Sequence, residues 1–381
     1  MTRAKPAPFA EPIYVTRPLL PPLAALTKRL EAAWDARWLT NAGAQHVALE
    51  AELSRVLGAP HLSLFANGTL ALLVACRVLG LRGDVVVTPF TFPATVHALA
   101  WAGLAPVFAD VDAATMTLDP AAVEAALTPA TSGVLGVHVY GLPCDVRAFD
   151  ALAARRGIAM MYDAAHAFGT TIAGAPVASF GDATMFSFHA TKLFHTAEGG
   201  ALAVRDAGVK RNVDLAKNFG IANEFEVLGT GINAKMNELQ AALGLCVLEE
   251  LAAERARRAA VVAAYDAALA GVPGVTPVRP PAGTSDSLQY YVVRIDGAVA
   301  SADRDTVFAR LRGYNVFARK YFFPLASDYP AYRDLPSARA GLLPHAQRAA
   351  REVLCLPLYG TLGADGAARV AALLRHCLES E

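Results

Sequence analysis

A lysine, a serine and a pair of glycines lie close together in the middle of this 381-residue chain. Ser187 comes shortly before Lys192, and Gly199-Gly200 follows. A lysine amine can form a Schiff base with an aldehyde cofactor, and a serine hydroxyl beside main-chain N–H groups can hold a phosphate. Pyridoxal phosphate (PLP) carries both an aldehyde and a phosphate. The segment therefore predicts a PLP site in which Lys192 carries the cofactor.

A second candidate for the phosphate lies upstream. Asn67-Gly68-Thr69 separates a strand-like run, Leu62–Phe65, from a helical run, Thr69–Val78. The N-terminus of a helix offers free N–H groups and a partial positive charge, and both favour a phosphate. An Asn-Gly turn before a helix is also an ordinary structural feature. The turn indicates a phosphate site only if the other cofactor residues lie beside it.

Three further side chains follow predicted strands. Phe92 comes after the strand Val85–Val87, where its ring can stack on a pyridine ring or serve as an ordinary core residue. Asp163 ends the strand Ile158–Tyr162. Its carboxylate can keep the pyridine N1 protonated, so that the ring withdraws electrons, or it can cap the next helix. His166 is near enough to contact the ring hydroxyl or to stack on the ring.

Each of these signals is weak alone, and their order gives them weight. The phosphate turn comes first, then Phe92, then Asp163, and the Ser187–Lys192 segment comes last. In parallel α/β sheets the ligand binds at the carboxyl ends of the strands, which meet at one edge. We therefore expect these residues to converge on one site.

The surrounding elements alternate as such a site requires. Up to about residue 205, β-branched runs such as Val134–Val137 alternate with alanine-rich helical stretches such as Val146–Arg155. The alternation predicts an α/β fold, an α/β/α sandwich with a mostly parallel sheet. A long helix over Asn237–Leu269 follows, and we expect its charge-rich portion, Glu249–Arg258, to be solvated. The strand Tyr290–Ile295 comes after it.

We divide the chain into three parts. Residues 1–30 are rich in proline, which lacks a backbone donor, and are predicted to form an extended arm. Residues 31–250 are predicted to form the large cofactor-binding domain. Residues 251–381 are predicted to form a smaller C-terminal α+β domain.

The composition excludes several classes of function. Lysine plus arginine and aspartate plus glutamate both number 34, so no basic surplus favours nucleic-acid binding. The five cysteines form no CxxC pair, and we expect neither a metal site nor a disulfide. No apolar run is long enough for a membrane, and Met1–Pro6 lacks the apolar segment of a signal peptide. We therefore expect a cytoplasmic protein that acts on small molecules.

Taken together, these segments resemble a known family. From about Pro18 to near the C-terminus, the chain is similar to the DegT/DnrJ/EryC1/StrS aminotransferases. These are fold type I PLP enzymes that act mostly on nucleotide-linked keto sugars. The segments that carry the resemblance are Asn67-Gly68-Thr69, Thr91-Phe92-x-Ala94-Thr95, His138-Val-Tyr140-Gly141, Asp163-Ala-Ala-His166-Ala-Phe-Gly169, Ser187-Phe-x3-Lys192-x5-Glu198-Gly199-Gly200 and Gly231-Ile-Asn233-Ala-Lys-Met236-Asn-Glu238-Leu-Gln240.

The resemblance implies a role for each site residue. Lys192 would form the Schiff base and carry the proton, Asp163 would bind the pyridine nitrogen, and His166 would lie at the 3′-oxygen of the ring. The other cofactor contacts would be stacking by Phe92 and phosphate binding by Gly68, Thr69, Ser187 and, from the second subunit, Asn233. A contact across subunits implies a homodimer with shared active sites. L-glutamate would donate the amino group and a nucleotide-linked keto sugar would accept it.

Two segments point to a particular substrate. His189-Ala-Thr-Lys192 and Trp38-Leu39-Thr40-Asn41-x-Gly43 look most like the subgroup that aminates C4 of dTDP-4-keto-6-deoxyglucose, an activity of deoxyamino-sugar, O-antigen or glycan biosynthesis. Lys235 departs from the pattern, since many members have an arginine there, and lysine cannot make the same bidentate contact. Amination at C3 of another nucleotide sugar stays open as an alternative.

Five further residues are candidates for substrate contact. Arg319-Lys320-Tyr321 is similar to a basic-aromatic stretch that family members carry near the sugar nucleotide, although a solvated basic turn explains it equally well. Asn41 belongs to the N-terminal segment above. His195 follows Lys192 closely and could face the ligand or be structural.

Three rival functions share parts of this pattern. Some relatives are PLP-dependent sugar dehydratases with histidine in place of the lysine, and Lys192 argues against that reaction. A regulator without activity would have no need of Lys192, Asp163, Phe92 and Ser187 together. Another fold type I PLP enzyme, such as an aminohydroxybenzoate synthase or a lyase, stays open.

Overall fold

The computed structural model describes residues 6–379, which contain eleven α-helices and sixteen strands. The helices are α1 (Leu23–Ala36), α2 (Ala44–Leu57), α3 (Gly68–Val78), α4 (Pro93–Trp101), α5 (Pro120–Ala126), α6 (Val146–Arg156), α7 (Ala207–Ala216), α8 (Glu238–Leu269), α9 (Arg304–Arg312), α10 (Pro344–Glu352) and α11 (Gly363–Glu379). The strands are β1 (Ile13–Tyr14), β2 (Leu62–Phe65), β3 (Asp84–Val87), β4 (Ala105–Phe108), β5 (Thr131–Val137), β6 (Ala159–Asp163), β7 (Thr171–Ile172), β8 (Ala175–Pro176), β9 (Ala183–Ser187), β10 (Gly200–Val204), β11 (Ile221–Asn223), β12 (Glu226–Val227), β13 (Val275–Pro277), β14 (Tyr291–Ile295), β15 (Val316–Phe317) and β16 (Val353–Leu356).

A seven-stranded sheet forms the centre of the fold, in the order β2-β10-β9-β6-β5-β3-β4. Its strands pair in parallel, except that β10 runs antiparallel to both β2 and β9. Parallel neighbours need a crossover, usually a helix, whereas the chain returns from β9 to β10 through a loop that contains no helix. The predicted mostly parallel sheet is confirmed, and the Lys192 segment lies in this loop.

Both faces of the sheet are covered. Val85 and Val87 of β3 belong to one apolar cluster, which includes α3 and α4 side chains, whereas Val86 between them belongs to another, which includes Phe149 of α6. Successive residues of a strand point to opposite faces, so strands buried on both sides are apolar throughout. This arrangement is the predicted α/β/α sandwich.

A smaller unit follows the sheet. The antiparallel strands β13-β14-β16 pack with α9, α11 and the second half of α8 around a separate apolar cluster that includes Tyr265, Tyr291 and Leu374. This matches the α+β class predicted for the C-terminal part. The predicted boundary between residues 250 and 251 falls inside α8, a continuous helix of 32 residues.

The N-terminal arm differs in extent from the prediction. Its extended portion ends at Pro22, because residues 23–30, which were assigned to the arm, lie in α1. The arm is also docked, since β1 pairs in parallel with β15 of the small unit. Residues 1–5, on which the expectation of a cytoplasmic location partly depends, lie outside the described part of the chain.

The predicted solvated face over Glu249–Arg258 is wrong in part. Glu254 and Arg258 are 3% and 1% exposed, because α8 runs between the two units and packs on both. A charge-rich helical stretch normally faces solvent, and here the two charges neutralise each other inside the protein. No helix within residues 6–379, α8 included, is long and apolar enough to cross a membrane.

Candidate active site

A cavity of about 250 Å³ opens at the carboxyl edge of the central sheet. Eight of the predicted site residues line it: Gly68, Thr69, Phe92, Asp163, His166, Ser187, Lys192 and Tyr321. They come from the ends of β6 and β9, the loops after these two strands, the starts of α3 and α4, and, for Tyr321, the segment after β15. These separate segments therefore meet at one edge of the sheet, as expected from the sequence.

One end of the cavity is built for an anion. Asn67 caps α3, and its Oδ1 accepts a hydrogen bond from the Leu70 N–H at 2.9 Å. The N–H groups of Gly68 and Thr69, in the first turn, have no partner within the helix. Together with the partial positive charge of the helix N-terminus and the Ser187 hydroxyl, they form a donor set that fits a phosphate.

The glycines around this turn allow close packing. A Cβ atom on Gly200 would lie 2.7 Å from both the Asn67 carbonyl carbon and the Gly68 nitrogen. A Cβ atom on Gly68 would lie 2.8 Å from the Met185 sulfur. Strand β10 can therefore approach the phosphate turn only with glycine at position 200. Gly200 thus shapes the anion site, whereas sequence reasoning treated the Gly-Gly pair only as the end of the lysine segment.

Asp163 is held at the opposite side of the cavity. Its Oδ2 accepts a hydrogen bond from the Thr95 hydroxyl at 2.8 Å, and its Oδ1 accepts one from the Ala165 N–H at 3.0 Å. Because the Thr95 proton goes to Asp163, the Thr91 hydroxyl must donate to Thr95, at 2.8 Å. Burial raises the pKa of the Asp163 carboxyl, against the opposing effects of these hydrogen bonds and of Lys192. A protonated pyridine nitrogen is a partner that would reverse this shift.

Lys192 enters the same cavity from the loop between β9 and β10. Burial lowers the pKa of its amine to about 8, and the charge of Asp163 opposes the shift. An amine with such a pKa is partly neutral near neutral pH, as a nucleophile or a general base must be.

His166 is fixed in one neutral tautomer. Its Nδ1 accepts a hydrogen bond from the Tyr140 N–H at 3.1 Å, so Nε2 carries the proton. Burial, and then the charge of Lys192, hold the pKa of His166 well below its usual value. The side chain therefore offers a neutral N–H donor, as the predicted contact with a ring oxygen requires.

Phe92 is not a core residue. Its ring is 57% exposed and lines the cavity, whereas Phe90 two positions earlier is fully buried. An aromatic ring left open at a cavity can stack on a planar ligand. Of the two interpretations of Phe92, the structure favours the stacking one.

An aromatic wall completes the cavity, and sequence reasoning missed most of it. The Phe322 ring lies parallel to the His166 ring with centroids 5.8 Å apart, and Tyr290 meets His166 edge-on at 5.0 Å. The Tyr140 hydroxyl donates to the Tyr321 carbonyl oxygen and holds this segment in place. Thr95 and Tyr140 stood within the recognised segments, but their contacts with Asp163 and His166 were not foreseen.

The other predicted residues lie outside this cavity of the single chain. His195 donates through Nε2 to the Leu19 carbonyl at 2.8 Å and so anchors the arm, and Lys320 binds Asp305 at 3.1 Å. Asn41 lines a separate surface cavity, and Arg319 is exposed. Asn233 is exposed and accepts a hydrogen bond from Lys235 at 2.8 Å.

The residues present fit PLP. The cavity has an anion site at one end, a buried carboxylate at the other, an open aromatic ring and a lysine amine of lowered pKa. The pieces of PLP that these groups would contact are its phosphate, its pyridine nitrogen, its ring face and its aldehyde. Within residues 6–379, no group of three or more histidine, cysteine or acidic side chains could hold a metal ion.

Known aminotransferases are similar to this chain over most of its length. The model of the DegT/DnrJ/EryC1/StrS aminotransferase family matches residues 24–375. The dTDP-4-amino-4,6-dideoxy-D-glucose transaminase of Escherichia coli is 40% identical, with 95% of this chain and 98% of the relative covered. The UDP-N-acetyl-3-dehydro-alpha-D-glucosamine 3-aminotransferase of Acidithiobacillus ferrooxidans is 33% identical, with 88% and 89% covered.

Solved structures match as closely. The crystal structure of DesI in the presence of its TDP-sugar product has a TM-score of 0.93 and 40% identity, with 98% of this chain and 94% of that chain covered. The aminotransferase PseC of Helicobacter pylori, involved in the biosynthesis of pseudaminic acid, has a TM-score of 0.90 and 25% identity, with 97% and 100% covered.

Proposed function

The chain belongs to the DegT/DnrJ/EryC1/StrS aminotransferase family, and on that premise we propose that it moves an amino group from L-glutamate to C4 of dTDP-4-keto-6-deoxy-D-glucose. It is a PLP-dependent aminotransferase. The observation that carries the proposal is the convergence of Lys192, Asp163 and the Asn67-Gly68-Thr69 turn on one cavity.

The choice of sugar is supported by the named relatives. Two relatives, at 40% and 38% identity, are transaminases of dTDP-4-amino-4,6-dideoxy-D-glucose, from Escherichia coli and Shigella dysenteriae. Transamination exchanges an amine and a ketone at one carbon, so their sugar partner carries a ketone at C4. The 3-aminotransferase that acts on a UDP sugar is less similar, at 33% identity. These sequence identities favour amination at C4 of a dTDP-linked sugar.

Lys192 moves the proton. Bound PLP supplies an aldehyde that links to an amine and a ring that withdraws electrons from the adjacent α-carbon. With PLP held in this cavity, the Lys192 Nζ would be the base that takes the α-proton of the amino donor and the acid that delivers a proton on the cofactor side. Its pKa of about 8 allows both halves of this transfer near neutral pH.

Asp163 and His166 hold protons on the two sides of the ring. The Asp163 carboxylate, oriented by Thr95 and Ala165, would keep a proton on the pyridine nitrogen. The His166 Nε2–H, directed by the Tyr140 contact at Nδ1, would donate to the 3′-oxygen. Both favour the electron-withdrawing form of the ring.

A homodimer with shared sites completes the proposal. The β11–β12 hairpin and its flanks expose large apolar side chains, and Phe225, Val227 and Leu228 are 91%, 68% and 56% exposed. A two-stranded hairpin with such a surface is marginal alone, and it is stabilised when another surface covers it. Asn233 lies just after this segment, where the partner subunit's phosphate turn would come within its reach. Light scattering that gives only monomer at micromolar concentration would contradict the dimer.

The substrate is tested with a panel. Purified holoenzyme is incubated with L-glutamate and dTDP-, UDP- and GDP-linked keto sugars, including 3-keto and 4-keto forms. Mass spectrometry follows the amino sugar and 2-oxoglutarate, and NMR locates the new C–N bond. We expect turnover with dTDP-4-keto-6-deoxyglucose at C4. Amination at C3, or turnover with another nucleotide only, contradicts the proposed substrate and leaves the aminotransferase assignment in place.

A further inference from the structure

The side chain of Gln289 binds the main chain on both sides of Lys192. Its Oε1 accepts a hydrogen bond from the Leu193 N–H at 2.8 Å, and its Nε2 donates to the Thr191 carbonyl oxygen at 3.0 Å. Gln289 is 2% exposed, and its bond to Leu193 is buried while its bond to Thr191 is partly buried. A primary amide carries one acceptor and two donors in one plane, which matches an N–H and a C=O that flank a single residue.

The segment held in this way belongs to neither a helix nor a strand. Lys192 lies in the loop from Ser187 to Gly200, whose main chain bonds mostly to itself, as in Lys192 N–H to the His189 carbonyl at 2.8 Å. Buried peptide groups of a loop need partners, and Gln289 supplies two from about a hundred residues further along the chain. The orientation of Lys192 is thereby tied to the segment that precedes β14.

Gln289 is itself tied to the other side of the cavity. Its N–H donates to the Ser287 hydroxyl oxygen at 3.2 Å, and the Ser287 hydroxyl donates to the Tyr140 carbonyl at 3.3 Å. The Tyr140 N–H in turn donates to His166 Nδ1 at 3.1 Å. These hydrogen bonds, linked through the covalent structure of Gln289 and Tyr140, therefore connect the main chain on either side of Lys192 to the imidazole of His166.

The same segment is anchored from α8. The Arg258 guanidinium, 1% exposed, donates to the Leu288 carbonyl at 3.1 Å. Arg258 is fixed by Glu254 at 2.7 Å. Leu288 has a φ of 58°, in the left-handed region that is unfavourable for a leucine, and its N–H donates to Asp286 at 2.7 Å. The surrounding contacts hold the backbone in a conformation that it would not choose alone.

We propose that Gln289 is a positioning residue for the aminotransferase reaction. It sets the main-chain orientation of Lys192 and so fixes the position of the lysine amine relative to the His166 imidazole. The inference depends on the proposed function, because it assumes that Lys192 carries the cofactor and moves the proton. A displacement of about 1 Å at a reacting group can reduce the rate about 100-fold, so a residue that fixes Lys192 acts on kcat more than on substrate binding.

The test uses two variants of Gln289 and a matched control in the holoenzyme. Gln289→Met keeps the shape and removes both hydrogen bonds, and Gln289→Glu, assayed above the pKa of its carboxyl, keeps the acceptor for Leu193 but removes the donor to Thr191. Tyr291→Phe removes a hydrogen bond of 2.9 Å to Asp266 two residues away, on the side of the small unit. Readouts are kcat, KM, the melting temperature and hydrogen exchange of the peptide that contains Leu193.

We expect Gln289→Met to lower kcat by about 10- to 100-fold, with KM for both substrates changed by less than about threefold. Exchange at Leu193 accelerates, because its N–H has lost its acceptor. Gln289→Glu keeps slow exchange at Leu193 and still lowers kcat. Tyr291→Phe loses some stability and leaves both kcat and the Leu193 exchange as in the wild type.

The inference is overturned if Gln289→Met retains kcat within about twofold, or if its Leu193 exchange matches that of the wild type. If Gln289→Met does not fold, Gln289→Glu decides, because full kcat in that variant contradicts the role of the Thr191 contact. Failure of the proposed function is seen separately, as wild-type protein that transaminates no nucleotide sugar. Leu193 exchange still reports on the Gln289 contact in that case.

Discussion

Two pairs of acidic and basic side chains in this molecule, one buried in α8 and one lining the cofactor cavity, are treated in opposite ways. Glu254 and Arg258 lie in α8 with Nε and Oε1 2.7 Å apart, and the same carboxylate accepts hydrogen bonds from Gly360 and Arg257. Asp163 and Lys192 share a cavity, where the carboxylate accepts hydrogen bonds from Thr95 and Ala165 and, within residues 6–379, from no other group. The first pair is neutralised within the protein, and the second retains unused bonding capacity.

The pKa values follow this difference. Burial tends to raise the pKa of Glu254, but hydrogen bonds from Arg258 and Gly360 outweigh it and lower the pKa. At Asp163 burial prevails, and the pKa is raised. At Lys192 burial lowers the pKa to about 8. Removing one partner of the complete pair would leave a buried charge uncompensated, whereas the incomplete pair is ready for a ligand.

The largest expected effect tests whether Lys192 belongs to the incomplete pair. Lys192→Ala should lower kcat by roughly 1,000-fold or more and remove the absorption band of the lysine-bound cofactor, because the residue both carries the cofactor and moves the proton. Rapid-mixing kinetics and absorption spectra measure this. The control is Lys217→Ala, a buried lysine paired with Asp214 at 2.8 Å, which should lose stability and keep the band. A fully active Lys192→Ala protein contradicts the assignment.

The same variant carries a pH signature in the cofactor-free protein. The Lys192 amine has a folded pKa of about 8 against an ordinary value of 10.5, so below pH 8 burial of the charged amine destabilises the fold. Lys192→Ala should therefore be more stable than the wild type below pH 8. Between about pH 8 and 10.5 the folded protein binds fewer protons than the unfolded one, so the advantage should shrink as pH rises. Denaturant titrations at several pH values measure it.

The next largest effect is expected for a substitution in the complete pair, Glu254 and Arg258. Glu254→Gln leaves Arg258 buried with its charge uncompensated, and should lower the free energy of unfolding by about 3 kcal/mol. Its effect on kcat should be less than about tenfold, because the pair reaches the site only through Leu288. Urea denaturation and steady-state kinetics measure the two quantities. A stability equal to that of the wild type would show that the pair is not a stabilising element.

The smallest expected effect is that of the amide substitution in the incomplete pair, Asp163 and Lys192. Asp163→Asn should lower kcat by about 100-fold, which corresponds to about 2.7 kcal/mol of activation free energy, because an amide cannot keep the pyridine nitrogen protonated. The cofactor-free protein should keep its stability, since the pKa of Asp163 shows that its charge is not stabilised in the fold. The opposite pattern, lost stability with full activity, would place Asp163 among the structural residues.

Much of the cofactor site was predictable, because its residues follow strands that end at one edge of the sheet. Lys192, Asp163, His166 and the Asn67-Gly68-Thr69 turn belong to this group. Thr95 was within reach, since it lies one helical turn beyond Thr91 on the helix that begins beside Phe92. Tyr290 and Phe322 were not, because they come from the second unit and reach the cavity only through tertiary packing. Gln289 was not predictable either, because its contacts with Thr191 and Leu193 join segments far apart in the chain.

Some predictions depend on what a single chain cannot show. Asn233 lies outside the cavity of its own chain, and its phosphate contact stays a prediction about the dimer. Arg319 and Asn41 also point to surfaces away from the cofactor residues. For Glu254 and Arg258 the prediction was wrong, and the error is of a different kind. Their charges predicted a solvent-exposed helix face, but the tertiary structure buries them as a pair.

By itself the sequence determined the α/β architecture, the cofactor and the order of the residues that bind it. These follow from local patterns: strand and helix periodicity, a capped helix start, and side chains placed at strand ends. Only the tertiary structure decided which charges are neutralised and which stay available, and what holds Lys192 in place. Burial and hydrogen-bond partners set these properties, and the partners come from segments far apart in the chain.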